Sequence, residues 1–276
     1  MGANAGRESK IFRPFTMKAG GKIYMEHILV IAEKPSVAIS IAKVIGATKK
    51  KDGYYEGNGK VSWCVGHLIQ MANPDAYDEK YAKWNISDLP IIPKQYKFEV
   101  AKATKKQFNI LKKLMNDKEI DTVINACDAG REGESILRLV YNEAKCKKKM
   151  QRLWISSMED SAIKEGFSNL KNGEDYDKLF ESAQARAIAD WLVGMNISRL
   201  YSCLYKQNYS VGRVQTPTLY MIVKRDEEIS NFKKEKDYTV ELSVNGFTLS
   251  TDKIGDEITA EQLINLIGDN IEITDV

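Results

Sequence analysis

Apolar residues along the chain fall in short continuous runs separated by amphipathic segments. His27 to Ala32 (HILVIA) is one such run and predicts a buried strand. Glu33-Lys34-Pro35-Ser36 follows, then helical spacing from Val37 to Ile45. Pro35 suits the first turn of that helix, where a missing N–H costs nothing, and Gly46 can close it. Val61 to Val65 predicts a second strand. Residues 70–97 carry Pro74, Pro90 and Pro93 among aromatics and read as a long ordered loop. Thr104 to Met115 predicts an amphipathic helix, and Thr122 to Cys127 (TVINAC) another buried strand. A glycine-containing turn, Asp128 to Gly133, leads into a helix from Glu134 to Ala144. Arg152 to Ile155 predicts a fourth strand and Glu159 to Leu170 a helix. Strands alternating with helices predict an α/β unit with a mostly parallel sheet.

After Asn172-Gly173 the pattern changes. Tyr176 to Tyr205 is a long helical stretch, Ser210 to Pro217 a loop, and Thr218 to Ile229 helical again. Tyr238 to Val244 alternates as a strand does, Asn245-Gly246 signals a hairpin, and Phe247 to Thr251 returns. A short helix over Ala260 to Ile267 follows, and Ile271 to Val276 starts a further strand. The chain stops inside that element, so a larger parent protein is expected. Met1 to Tyr24 is rich in Gly, Lys and Arg without a steady period, and lacks the apolar core of a signal peptide. An unstructured leader is expected there, with order beginning near Met25.

Composition adds limits. The 276 residues are 43% hydrophobic and 29% charged, which excludes a disordered, collagenous or membrane-spanning chain and suits about two domains. The net charge of +3 does not announce a nucleic-acid partner. Four scattered cysteines form no zinc spacing, and a reducing, cytoplasmic compartment is expected. No GxxxxGK[ST] motif is present, so ATP-driven chemistry has no support.

The candidate chemistry is acidic. Glu33 and Asp128 each stand just past the C-terminal end of an expected parallel strand, the edge where open α/β sheets bind ligands. Glu132 and Glu134 follow Asp128, and convergent carboxylates suit Mg2+, a cation that takes oxygen ligands. Lys34 and Arg131 add charge able to hold a phosphate. The plainer reading is that Glu132 and Glu134 complement a helix N-terminus. In the loop Ser210 to Thr218, Thr216 and Pro217 read as a helix start, Gly212 permits close backbone approach, Arg213 suits a phosphate, and Gln215 can donate to a phosphate oxygen or a base edge. A capping turn with one exposed arginine is the alternative. Arg186 and Asp190, four apart, form either a surface pair or a DNA contact. His67 reads as a structural histidine. The basic run Lys145, Lys147, Lys148, Lys149, Arg152 reads as a solvated helix end or a DNA-backbone patch.

Together the stretches Ile28 to Ala38 (ILVIAEKPSVA), Val65 to Gln70 (VGHLIQ), Ala126 to Glu134 (ACDAGREGE), Leu153 to Ser157 (LWISS), Ala183 to Asn196 (AQARAIADWLVGMN) and Ser210 to Leu219 (SVGRVQTPTL) resemble the type IA DNA topoisomerases, the topoisomerase III branch in particular. The resemblance runs in the family's order over about two hundred residues. It implies a Toprim domain, Rossmann-like with a mostly parallel sheet, over residues 25–165. A mainly helical DNA-binding domain over 166–230 and the start of a β-rich arch over 231–276 would follow. It also implies ATP-independent cleavage, passage and religation of single-stranded DNA through a 5′-phosphotyrosyl link, in the cytoplasm and associated with the nucleoid. Carried over, Glu33 is the acid/base group, Lys34 stabilises charge on the scissile phosphate, and Asp128 and Glu132 hold Mg2+. Arg186, Asp190, Arg213 and Gln215 grip the single strand.

Two departures stand out. The family's acidic motif reads Asp-x-Asp-x-Glu, whereas Gly130 occupies the second aspartate position, a loss that Glu134 or water would have to make good. None of the thirteen tyrosines stands in a Tyr-x-Arg-Thr-Asp-like context, so this chain alone is expected not to cleave DNA. A Toprim nuclease or primase, and a non-catalytic single-strand-binding fragment, are the alternative readings.

Overall fold

The structure, a computed structural model, describes residues 17–18, 22–23 and 27–267. The chain divides into two compact units, residues 1–213 and 214–276, a division that falls inside the stretch expected as the helical domain.

The first unit is built on β1 (Ile28–Ala32), whose five residues are all buried. It is followed by α1 (Pro35–Ile45), β2 (Lys49–Lys51), β3 (Tyr54–Gly57) and β4 (Gly59–Trp63). Then come α2 (Lys105–Met115), β5 (Thr122–Ala126), α3 (Arg131–Glu143), β6 (Lys149–Arg152), α4 (Asp160–Ser168), β7 (Lys171–Asn172) and α5 (Asp177–Tyr205). The sheet order is β7-β6-β5-β1-β4-β3-β2. The central pairs β6/β5, β5/β1 and β1/β4 are parallel, and the outer strands are antiparallel.

Alternation along β1 divides the core. Leu29 and Ile31 pack with α2 and α3, through residues such as Phe108, Leu111, Ile136 and Leu137. Ile28, Val30 and Ala32 pack on the other face with Ile41 and Ile45 of α1 and with Ile163 and Phe167 of α4. Burial on both faces is why β1 and β5 read as unbroken apolar runs. Each fully buried Leu, Ile, Val or Phe among them contributes roughly 1.5–3 kcal/mol. Pro35 opens α1, and Gly46 closes it with φ +81, as the sequence predicts.

Several boundaries differ from expectation. The strand expected at Arg152 to Ile155 lies at Lys149–Arg152, because Gln151 and Arg152 are buried polar residues inside the sheet. The hairpin β2–β3 was not expected, because Lys49-Lys50-Lys51 is a charged edge without apolar alternation. Within the expected leader, Met17–Lys18 pairs antiparallel with Lys22–Ile23; the remainder of Met1 to Tyr24 lies outside the described residues. So does the strand expected over Ile271 to Val276.

The 70–97 loop is ordered through short helical turns and is stitched to α5. Trp191 Nε1 donates to Ala72 O at 3.0 Å, with Tyr77 and Tyr96 edge-on to its ring. Asn196 Nδ2 donates to Ile91 O at 3.0 Å, and Arg199 donates to Tyr81 O at 2.8 Å. These bonds satisfy loop carbonyls that burial would otherwise leave unpaired.

The second unit holds α6 (Gln215–Ser230), the hairpin β8 (Glu241–Val244) and β9 (Phe247–Ser250), and α7 (Glu257–Leu266). Asn245 and Gly246 both have positive φ, the two-residue turn the sequence signals. The Asp256 carboxylate caps α7 by accepting from Thr259 N at 2.8 Å. Helix α6 begins three residues earlier than expected, so Thr216 and Pro217 lie within its first turn and Thr216 is not the cap. No helix of the described residues is long and apolar enough to cross a membrane.

Candidate active site

Parallel register brings the ends of three strands together. Ala32 of β1 pairs with Ala126 of β5 and with Trp63 of β4, so residues leaving all three strands emerge at one edge. Glu33 and Asp128 meet there. The Asp128 N–H donates to Glu33 Oε2 at 3.3 Å, and Lys34 Nζ lies 3.4 Å from Asp128 Oδ2 and 3.7 Å from Glu33 Oε1. The Glu33 side chain is only 13% exposed, whereas Lys34 and Asp128 stand open to solvent. Hydrogen bonding to Asp128, reinforced by the charges of Asp128 and Glu33, raises the Lys34 ammonium above its ordinary pKa. The Lys34 ammonium is therefore held cationic at neutral pH between the Glu33 and Asp128 side chains.

This edge is held from beneath by a residue that the sequence hides. Arg152, 1% exposed, donates to Cys127 O at 2.7 Å, Asp128 O at 2.7 Å and Asn125 O at 3.0 Å. Its Nε lies 3.1 Å from Glu134 Oε2, and its guanidinium stacks 5.0 Å from the Trp154 ring centroid. Burial pulls the Arg152 pKa down while the Glu134 charge opposes that shift. Asn125 completes the network by donating to Glu134 Oε2 at 2.9 Å and accepting from Cys127 N at 3.1 Å. Arg152 is thus no part of a solvated helix end. Glu134 is itself 1% exposed and also paired with Arg138 at 2.9 Å, so it cannot stand in for a missing metal ligand. Gly133 presses on the same loop: a Cβ there would collide with the backbone of Asp128.

Glu132 lies on the first turn of α3, exposed, with His67 Nε2 3.5 Å from its carboxylate. His67, read from the sequence as a structural histidine, follows β4 to this same edge and is half exposed beside Glu132. Its signal in the sequence is position alone, a few residues past a strand that pairs with β1. Among the described residues no three His, Cys, Asp or Glu side chains converge as a metal set. The two carboxylates Asp128 and Glu132 are nevertheless of the right chemistry for Mg2+, which keeps several waters and binds through one or two carboxylates plus phosphate oxygens. Both are exposed enough to leave room for such co-ligands.

The basic residues gather separately on α5 and the segment that returns beside it. Ser198 Oγ accepts from Val211 N at 2.9 Å, and Ser202 Oγ accepts from Tyr209 N at 2.9 Å. Arg213 Nε then reaches Asp190 Oδ1 at 2.7 Å, and Arg186 Nε lies 3.8 Å from Asp190 Oδ2. Asp190 therefore holds two half-exposed guanidinium groups instead of one. The helical spacing alone indicates only the Arg186 pair. Gln215 belongs to the other compact unit.

A family model described as the Toprim domain matches residues 28–158, and one described as DNA topoisomerase matches residues 174–276. A solved structure of full-length topoisomerase I from Thermotoga maritima is similar over 87% of this chain and 37% of its own, with 25% identity and a TM-score of 0.56. The chain belongs to the type IA DNA topoisomerases, with a Toprim domain over residues 28–158. Within them it stands on the topoisomerase III branch. It is 47% identical over 227 residues to DNA topoisomerase 3 of Bacillus licheniformis, covering 82% of this chain and 31% of that protein. It is 48% identical over 218 residues to that of Bacillus cereus, covering 79% and 30%. It is 47% identical over 223 residues to that of Staphylococcus epidermidis, covering 80% and 31%. The chain thus spans about a third of the length of these relatives.

Proposed function

We propose that this chain supplies the acid/base, metal-binding and part of the strand-gripping machinery for ATP-independent cleavage and religation of single-stranded DNA. The observation that carries the reading is the Glu33–Lys34–Asp128 triad, assembled from two adjacent strand ends. Residues 25–165 act as the Toprim domain, 166–230 as the helical DNA-binding domain and 231–276 as the start of the arch. The work takes place on DNA in the cytoplasm, at the nucleoid.

Glu33 gives a proton to the leaving 3′-oxygen at cleavage and takes it back at religation. Its carboxylate sits against Lys34, whose fixed positive charge faces the scissile phosphate and stabilises the charge that builds there. Asp128 and Glu132 are the residues that would hold Mg2+, which would supply additional positive charge for a phosphate substrate. Arg186 and Arg213, oriented by their shared Asp190, take backbone phosphates of the single strand, and Gln215 adds a polar contact. A tyrosine elsewhere in the complete enzyme is the nucleophile.

Two expectations test this reading. Incubated with a labelled single-stranded oligonucleotide and Mg2+, this chain alone is expected to bind DNA in a salt-sensitive way and to form no covalent adduct. A protein–DNA adduct would overturn the assignment of the nucleophile, and metal-dependent nicking without linkage would favour a Toprim nuclease. The second concerns Gly130, where an added Cβ would meet nothing within 4 Å. Gly130→Asp is expected to fold normally and to bind Mg2+ more tightly, by about tenfold or ~1.4 kcal/mol for one more anionic ligand. Calorimetric titration with Mg2+ reads this directly, and unchanged affinity would remove the turn 128–132 from the metal site.

A further inference from the structure

The C-terminal end of α5 carries an aromatic surface that neither the acidic edge nor the Asp190 clamp uses. Tyr201 and Tyr205, one turn apart, lie with their rings parallel, 8° between planes and 6.0 Å between centroids. Tyr209 meets the Tyr205 ring edge-on at 5.6 Å. The backbone fixes Tyr209 in that place: its N–H donates to Ser202 Oγ at 2.9 Å, and its carbonyl accepts from the same hydroxyl at 3.2 Å. All three tyrosines are exposed, Tyr205 at 61%.

Ordered aromatic rings left in contact with water suit a planar partner, and base–aromatic stacking accepts any base because every base has a π-face. The charge around them favours a polyanion. Between Asp190 and Asp226 the sequence carries no Asp or Glu, while Lys206 and Arg213 lie exposed in that stretch. Lys206 closes α5 in a left-handed conformation, φ +54, and has no carboxylate partner among the described residues. The tyrosines are also in line with the clamp. At 100° and 1.5 Å per residue, Tyr201 and Tyr205 stand roughly 20° and 60° around α5 from Asp190, and about 17 and 23 Å along it. A strand whose phosphates rest on Arg186 and Arg213 and which follows this face of the helix runs onto the rings. We propose that Tyr201, Tyr205 and Tyr209 form a stacking platform for bases of single-stranded DNA leaving the Asp190 clamp. The inference rests on single-stranded DNA as the substrate proposed above, and adds base contacts to a grip made otherwise to phosphates.

The experiment measures binding of this chain to two probes by fluorescence anisotropy: an oligothymidylate, and a sugar–phosphate strand of the same length with abasic sites throughout. The wild type is expected to bind the oligothymidylate more tightly. Tyr201→Ala/Tyr205→Ala is expected to weaken oligothymidylate binding by about tenfold and to leave the abasic strand unchanged. Its salt slope stays that of the wild type, because no phosphate contact is removed. Tyr201→Phe/Tyr205→Phe, which keeps both rings, is expected to bind as the wild type does. Alanine suits a helix, and thermal melts check that each variant folds. Arg186→Ala separates the two readings, since loss of a phosphate contact weakens both strands alike. If Arg186→Ala changes neither strand while the alanine pair weakens only the oligothymidylate, the platform stands and the clamp falls. A folded alanine pair that binds the oligothymidylate as the wild type does, or that weakens both strands equally, would overturn the platform and leave the clamp. A wild type that binds neither strand would overturn both. An alanine pair that binds DNA normally but loses a concentration-dependent dimer in sedimentation would make the rings a contact between copies and overturn the proposal.

Discussion

Arg152→Met is expected to destabilise this chain by roughly 3–5 kcal/mol, the scale for removing one partner from a buried ion pair. Methionine fills much of the space but supplies no donor. Cys127 O and Asp128 O lose their bonds to the guanidinium, and Glu134, 1% exposed, keeps only Arg138 and Asn125 to hold its charge. Arg152→Lys is expected to recover part of the loss and no more. A lysine retains the charge but lacks the planar fork that reaches both carbonyls at once. Urea unfolding followed by circular dichroism measures both variants. A cost for Arg152→Met below about 1 kcal/mol, the scale of a surface pair, would mean that the acidic loop is held by something other than this arginine.

The same residue marks the limit of what the sequence makes legible. Strands β1 and β5 are readable because burial on both faces leaves an unbroken apolar run, and α1 because Pro35 and Gly46 punctuate it. The meeting of Glu33 with Asp128 follows once those two runs are taken as parallel strands of one sheet. Arg152 and Glu134 resist such reading. A buried arginine is written with the same letter as a solvated one, and what decides between them is whether carbonyls and a carboxylate converge on it in three dimensions. The pull of Asp190 on Arg213, twenty-three residues away, is hidden for a related reason. It depends on the chain turning back beside α5 through bonds to Ser198 and Ser202, and serines four apart on a helix carry no such signal by themselves. The hairpin β2–β3 adds the opposite case, an edge whose lysines protect it from further pairing and at the same time erase the alternation by which strands are recognised.

In the full-length topoisomerase, Glu33→Gln is expected to slow strand cleavage by roughly 10²–10⁴-fold, the contribution typical of a positioned proton donor or acceptor, while leaving DNA binding intact. The geometry makes this substitution informative. Among the described residues the Glu33 carboxylate accepts the Asp128 N–H at 3.3 Å and lies 3.7 Å from the Lys34 ammonium. A glutamine carbonyl has the same reach and still accepts the Asp128 N–H, so the turn 128–132 keeps its place. Lys34 also keeps its closer partner, Asp128, at 3.4 Å. What glutamine cannot do at any accessible pH is exchange a proton with a 3′-oxygen. A variant that binds a single-stranded oligonucleotide normally, melts like the wild type and yet accumulates cleaved product slowly therefore isolates proton transfer from architecture. Unaltered turnover would remove Glu33 from the acid/base role, and a parallel loss of stability and binding would reduce it to a support for the Asp128 turn.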